Sequence, residues 1–206
     1  MASLERDNFE RSVNENSNSA TPAVNFSDIM TVFRRAVKEV RTGQGALEAG
    51  ELRGEDSTYF NRTIVILLHL VCLLTKLIPH LEKEKVYDVK QAVYEFVMVG
   101  AKGRGGSSPL HLACSRDTSS VGRYPICNFP SVPTIDLLLE CGAPVDARDN
   151  DGNTPLHAAA LNKPAKAGVI QSLLTHGAHF DLVNNDKRTF FNFLKGTPLH
   201  EITNGN

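Results

Sequence analysis

Phe26, Ile29, Phe33, Ala36, Val37 and Val40 recur at spacings of three and four, with Arg34, Arg35, Lys38 and Glu39 between them. That period predicts an amphipathic helix, N-capped by Ser27 or Asp28 and stopped at Gly43. Residues 1–25 are rich in Asn, Ser and Glu and poor in large apolar side chains, so burial cannot offset their ordering entropy; a disordered tail is expected. Residues 43–57 carry Gly43, Gly45, Gly50, Gly54 and scattered acids, the composition of a linker or long loop. From Ile64 to Leu74 only His69 interrupts an apolar run. This predicts a helix over 59–78, buried on most sides and ended by Pro79. The run falls short of the roughly 20 residues a bilayer span needs, and Arg62 and Lys76 flank it, so no membrane association is expected. Val86, Val89, Val93, Phe96 and Val97 share one face of a third helix, opposite Lys85, Asp88, Lys90 and Glu95. Lys102-Gly-Arg-Gly-Gly106 follows. No Gly-Lys-Ser/Thr and no apolar strand accompany it, so it reads as punctuation rather than a phosphate loop.

The second half repeats itself, which outranks any local reading. Ser108-Pro-Leu-His-Leu-Ala-Cys114 aligns with Thr154-Pro-Leu-His-Ala-Ala-Ala160. Each copy precedes an aliphatic segment ending in Gly-Ala, at Gly142-Ala143 and Gly177-Ala178, and then a polar run. Three features in matched order identify the ankyrin repeat. Ser108 and Thr154 suit an N-cap, with Pro109 and Pro155 at the first helical position, where no donor is needed. Leu110, Leu156 and the alanines beside them allow close helix approach. His111 and His157 are expected to bond backbone in the neighbouring unit, and Gly142 and Gly177 to end helices at positive φ. Asp151-Gly-Asn153 supplies a tight turn at the tip of a projecting hairpin. These residues are read as structural.

The repeats depart from the standard period of about 33 residues. Ser108 to Thr154 spans 46 residues, the excess lying in residues 115–133. A loop of this length inside a repeat is often functional. A third unit would begin at Thr189, where Phe190-Phe-Asn-Phe-Leu194 keeps apolar character without Pro-Leu-His. The candidate partner-binding residues are Arg123 and Tyr124 in the insert, of hot-spot type, and Arg148, Asp149 and Asp151 on the hairpin.

Composition narrows the function classes. Lys and Arg total 22 against 23 Asp and Glu, a net charge of −1 that disfavours nucleic acid as a partner. Cys72, Cys114, Cys127 and Cys141 form no C-x-x-C, and no apolar leader pattern follows Met1, so reduced thiols and a cytoplasmic or nuclear location are expected. Without secretion, the Asn25-Phe-Ser27 and Asn61-Arg-Thr63 sequons are chance matches. His69 and His80 lack acidic or thiol partners at ligand spacing, so no metal and no cofactor are expected, and His69 reads as a hydrogen-bonded core histidine. No nucleophile–base pair or paired carboxylates stand out, which argues against an enzyme.

Asp117-Thr-Ser-Ser-Val-Gly-Arg-Tyr-Pro125, Phe129-Pro-Ser131, Glu140-Cys-Gly-Ala143, Asn153-Thr-Pro-Leu-His157 and Gly177-Ala-His-Phe-Asp181 resemble the C-terminal ankyrin pair of the feminization (Fem) family. Residues 26–40 and Asn61-Arg-Thr-Ile64 resemble the helical region before that pair, and the detail is closer to the A/C branch. The resemblance covers residues 26 to about 189. It implies an all-α fold in which a helical, TPR-like hairpin region precedes a short ankyrin solenoid. The division is a tail at 1–25, helices at 26–104, a repeat with a long insert at 105–149, a repeat at 150–185 and a partial, frayed repeat at 186–206. It also implies a non-catalytic substrate adaptor of cullin-2 RING ubiquitin ligases, with elongin and cullin-2 among its protein partners. The family's N-terminal degron-binding array and its Leu-x-x-Leu-Ala-Ala-Arg cullin box are not visible in this sequence. Leu110 and Cys114 have elongin-box spacing but are expected in a helix core. The alternative is a generic ankyrin scaffold outside the ubiquitin pathway.

Overall fold

The computed structural model describes residues 26–49, 55–115, 127–162 and 166–194. Eight α-helices occur among them: α1 (Phe26–Glu48), α2 (Glu55–Leu77), α3 (Lys83–Met98), α4 (Pro109–Cys114), α5 (Val132–Glu140), α6 (Pro155–Leu161), α7 (Ala167–Thr175) and α8 (Phe190–Leu194). Short 3-10 turns at Ile78–His80 and Arg104–Gly106 follow α2 and precede α4. No strand occurs among the described residues, so the class is all-α.

The helices form two rows. In the inner row α2, α4, α6 and α8 contact one another in sequence; in the outer row α3, α5 and α7 do the same, and α1 packs on both α2 and α3. The core runs unbroken through both rows. Phe33, Ile64, Leu67, Leu68, Phe96, Leu110, Ile135, Leu138, Leu156, Leu173 and Leu194 are all fully buried. Each contributes about 1.5–3 kcal/mol relative to exposure. Phe33 and Phe96 meet edge to face at 6.3 Å, joining α1 to α3.

The predicted stop at Gly43 is corrected. α1 continues to Glu48, and α2 begins at Glu55, so the supposed linker is mostly helix. Gly43 is there for proximity: a Cβ would lie 2.6 Å from Cδ2 of Phe60 on α2. A glycine inside a helix costs about 1 kcal/mol, but here it lets the two helices close over a buried aromatic ring.

The expectation that α2 is too short to span a bilayer is corrected, while its reading as a core helix stands. By length and composition residues 58–80 could cross a membrane, yet 44% of the most apolar 18-residue stretch within them is buried inside the chain. The helix lies against α1, α4 and α5 as a core element. His69 is 2% exposed and sets its ring edge-to-face against Phe129, at 5.2 Å, on the segment leading into α5.

Candidate interaction surface

The repeat motif builds one recurring junction. Ser108 and Thr154 precede their helices in extended conformation, with Pro109 and Pro155 at the first position. The third helical residue is a histidine. Nδ1 of His111 lies 3.3 Å from the Ser108 nitrogen and 2.8 Å from its hydroxyl; Nδ1 of His157 lies 3.2 Å from the Thr154 nitrogen and 2.9 Å from its hydroxyl. An amide N–H can only donate, so Nδ1 accepts and Nε2 must carry the proton. Nε2 then donates to the next unit, from His111 to the Asn153 carbonyl at 2.9 Å and from His157 to the Arg188 carbonyl at 3.0 Å. Each imidazole thus caps its own helix and ties it to the following repeat. In the third unit Thr189 and Asn192 make a shorter version: Asn192 Oδ1 accepts from the Thr189 N–H at 2.8 Å and from its hydroxyl at 3.1 Å. An amide at this position caps α8 but has no second ring nitrogen to pass the bond onward.

Burial pushes His111 and His157 below the ordinary histidine range, the acceptor carbonyls offsetting part of the effect. Both are therefore neutral when folded, while an unfolded histidine titrates near 6.5. Between the two values the unfolded chain binds more protons, so stability falls as pH drops below about 6.5. Melting temperature is expected to decline over that interval in the parent and to flatten when both histidines are replaced by asparagine. An unchanged slope in the double variant would sink the assignment.

Three hairpin fingers project beside the inner row. The sequence predicted one, at residues 149–153. The structure adds 184–188 and, against expectation, 103–107. In each, the first amide donates to the last carbonyl: Gly103 to Ser107 at 2.7 Å, Asp149 to Asn153 at 3.0 Å and Asn184 to Arg188 at 2.9 Å. The fourth residue of each has positive φ, at Gly106 (75°), Gly152 (74°) and Lys187 (61°). Asn150 N–H donates to Gly105 O at 2.8 Å, and Asn185 N–H to Asp151 O at 3.0 Å, so the fingers form a ladder. Residues 103–107 are therefore built as a finger like the other two. A signal was present: Gly100-Ala101 is an earlier copy of the Gly-Ala at 142–143 and 177–178. Gly100, Gly142 and Gly177 all have positive φ, as helix ends of this type require.

The candidate binding residues separate once placed. Arg148 donates to the carbonyls of Gly152 (3.2 Å) and Val183 (2.9 Å), clasping two fingers. Asp149 accepts from the amides of Asp151 and Asn153 at 2.9 and 2.8 Å, fixing its own turn. Both hold finger geometry, and Arg148 also remains exposed. Asp151 remains exposed at the tip, beside exposed Asn150, with exposed Arg104 on the preceding finger and exposed Asp186 on the next. The tips thus present one cation followed by two carboxylates along one edge. Arg123 and Tyr124 lie outside the described residues. Leu110 and Cys114 are 1% and 0% exposed, so the elongin-box spacing belongs to the core. A cleft of about 370 Å³ separates the first finger from α1 and α2, lined by Gln44, Phe60, Asn61, Lys102 and Asn150; Gln44 Oε1 accepts the Lys102 amide at 3.1 Å across it.

Burial raises the thiols of Cys114, Cys127 (to about 12) and Cys141 (to about 11), far from the range of a reactive cysteine. Among the described residues no group of three His, Cys, Asp or Glu side chains could hold a metal ion.

Comparison with known proteins accords with the geometry. The pattern described as ankyrin repeats (3 copies) matches residues 87–184, a span that takes in most of α3, the first two fingers and the first residue of the third. The chain is 42% identical over 172 residues to protein fem-1 homolog A of Danio rerio, covering 84% of this chain and 27% of that protein. It is 40% identical over 166 residues to fem-1 homolog C of Homo sapiens (81% and 26%), and 40% identical over 172 residues to human fem-1 homolog A (83% and 24%). The chain spans about a quarter of the length of these relatives. Stacked ankyrin units make it a protein-interaction module. Over about four-fifths of its length, the chain belongs to the fem-1 family of ankyrin-repeat proteins, on the side of homologs A and C.

Proposed function

We propose that the chain acts as a non-catalytic adaptor segment of a cullin-2 ubiquitin ligase, holding a protein partner on its ankyrin face. The observation that carries this reading is the finger ladder joined to family membership. Three fingers are locked to one another by backbone bonds, and their tips keep Arg104, Asp151 and Asp186 exposed. Such an edge offers preorganised polar recognition, in which little ordering remains to be done on binding. The ubiquitin connection rests on the resemblance of residues 26–189 to the Fem family. Location in the cytoplasm or nucleus goes with that reading.

The test is affinity purification of the tagged 206-residue chain from cell lysate, probed for elongin and cullin-2. Recovery of both that survives moderate salt is the expected result. It would engage a surface other than Leu110 and Cys114, which are closed in the core. Failure to recover either component would leave the generic ankyrin scaffold as the reading.

A further inference from the structure

We propose that the outward face of α2 is a docking site for an amphipathic helix of a partner protein that carries acidic residues along one flank. α2 carries the longest apolar run of the chain and leaves part of it exposed. Its main contacts among the described residues are with α1, α4, α5, the turn that follows it and the segment at Cys127 and Phe129. Tyr59, Ile66, Leu70, Leu73 and Leu77, spaced by seven, four, three and four residues, share one edge of the helix, from which Leu70 and Leu73 also reach the core. Tyr59 is 65% exposed and Ile66 39% exposed, while Leu70, Leu73 and Leu77 are half-buried. Spacing of this kind is the seam a second helix fills. The stripe runs 18 residues, or about 27 Å at 1.5 Å per residue. That is long enough for about five turns of a partner.

The charge along its edge selects the partner. Arg62, His69 and Lys76 stand seven residues apart in a single file next to the apolar stripe. His69 is turned inward against Phe129, whereas Arg62 and Lys76 are exposed. Neither cation is in an ion pair among the described residues. An apolar strip bordered by two cations about four turns apart is complementary to a helix with leucines at the same spacing and carboxylates on one flank. A second copy of α2 fits poorly. Antiparallel pairing brings Arg62 of one chain to the same rim as the partner's Lys76, and parallel pairing sends the two chains' cations to opposite rims, where they gain no carboxylate from the apolar stripe. The proposal stands apart from the ubiquitin reading, since it needs neither elongin nor cullin-2.

The experiment uses the full chain and two helix-stapled synthetic peptides of about 20 residues. Both carry leucines at heptad spacing; one has glutamates on one flank and the other lysines there. Fluorescence anisotropy is expected to show saturable binding of the glutamate peptide, at least about tenfold tighter than the lysine peptide, weakening as salt rises. Tyr59→Glu and Ile66→Glu should each weaken binding about tenfold or more. Arg62→Glu with Lys76→Glu should remove the preference between peptides, and Tyr94→Glu, on the exposed face of α3, should change nothing. Because Tyr59 is mostly exposed, its variant keeps the test valid even where Ile66→Glu disturbs the fold. Equal binding of both peptides, binding insensitive to Tyr59→Glu, or a concentration-dependent dimer of the chain alone would overturn the proposal.

Discussion

Replacing His157 by alanine is expected to cost about 3–5 kcal/mol. The ring is 1% exposed and joins three polar groups, the Thr154 amide and hydroxyl and the Arg188 carbonyl. Truncation leaves an amide and a carbonyl without partners in a buried setting, at about 1–3 kcal/mol each, and adds a cavity. For a domain of this size that corresponds to a fall in melting temperature on the order of 10 °C. The loss should also be local. His157 ties α6 to the third finger, so amides of residues 184–194 should exchange much faster while those of α3 change little, as nearest-neighbour coupling in a repeat array requires. A melting temperature within about 2 °C of the parent would show that the imidazole is dispensable.

Gly152→Val should be nearly as damaging, for a reason that lies in the next finger. Its φ of 74° is a conformation that a β-branched residue adopts only with strain, of order 1–3 kcal/mol. In addition a Cβ at this position would meet Asn185, about 2.4 Å from its side-chain oxygen and 3.0 Å from its backbone nitrogen. Asn185 would have to give up its bonds to the Asp151 and Asn150 carbonyls, each 3.0 Å long. Together these effects predict a loss of about 3–4 kcal/mol, measured by urea denaturation. The same position in the third finger is Lys187, with φ of 61°. Lys187→Gly should therefore be neutral or mildly stabilising. If Gly152→Val were tolerated as readily, the close approach of the fingers would not be what demands glycine.

The positive φ of Gly106 and Gly152 has this second cause in common. At Gly106 a Cβ would collide with the Asn150 side chain as it would with Asn185 at Gly152. Glycine is thus required both by the turn and by the asparagine stacked above it. Lys187 has no further finger above it among the described residues, and tolerates its strain.

Composition and spacing determined a good deal on their own. Thr-Pro-Leu-His followed by an aliphatic helix and Gly-Ala specifies a local program: cap, proline start, inward leucine and a left-handed stop. Those are short-range consequences of backbone geometry, so they survive without knowledge of the neighbours. The apolar period of α1 to α3 was equally legible, because a face that must be buried leaves its mark at every third or fourth position.

Tertiary structure decided what each residue was for. Gly43 has the identity of a helix stop, but only the position of Phe60 shows that it serves close packing inside α1. Residues 103–107 contain no Asp or Asn to announce a finger, and the backbone ladder to Asn150 makes them one. Arg148 and Asp149 have the chemistry of binding residues, and the structure also gives them internal partners: Arg148 Nη1 donates to the Gly152 and Val183 carbonyls, and Asp149 accepts from the Asp151 and Asn153 amides. Along α2 the order of residues shows an apolar helix, and the placement of α1, α4 and α5 decides which side stays open. The physical reason is the same throughout: periodicity records that a side chain will be buried or a turn made, whereas which atoms satisfy it depends on contacts between residues far apart in the chain.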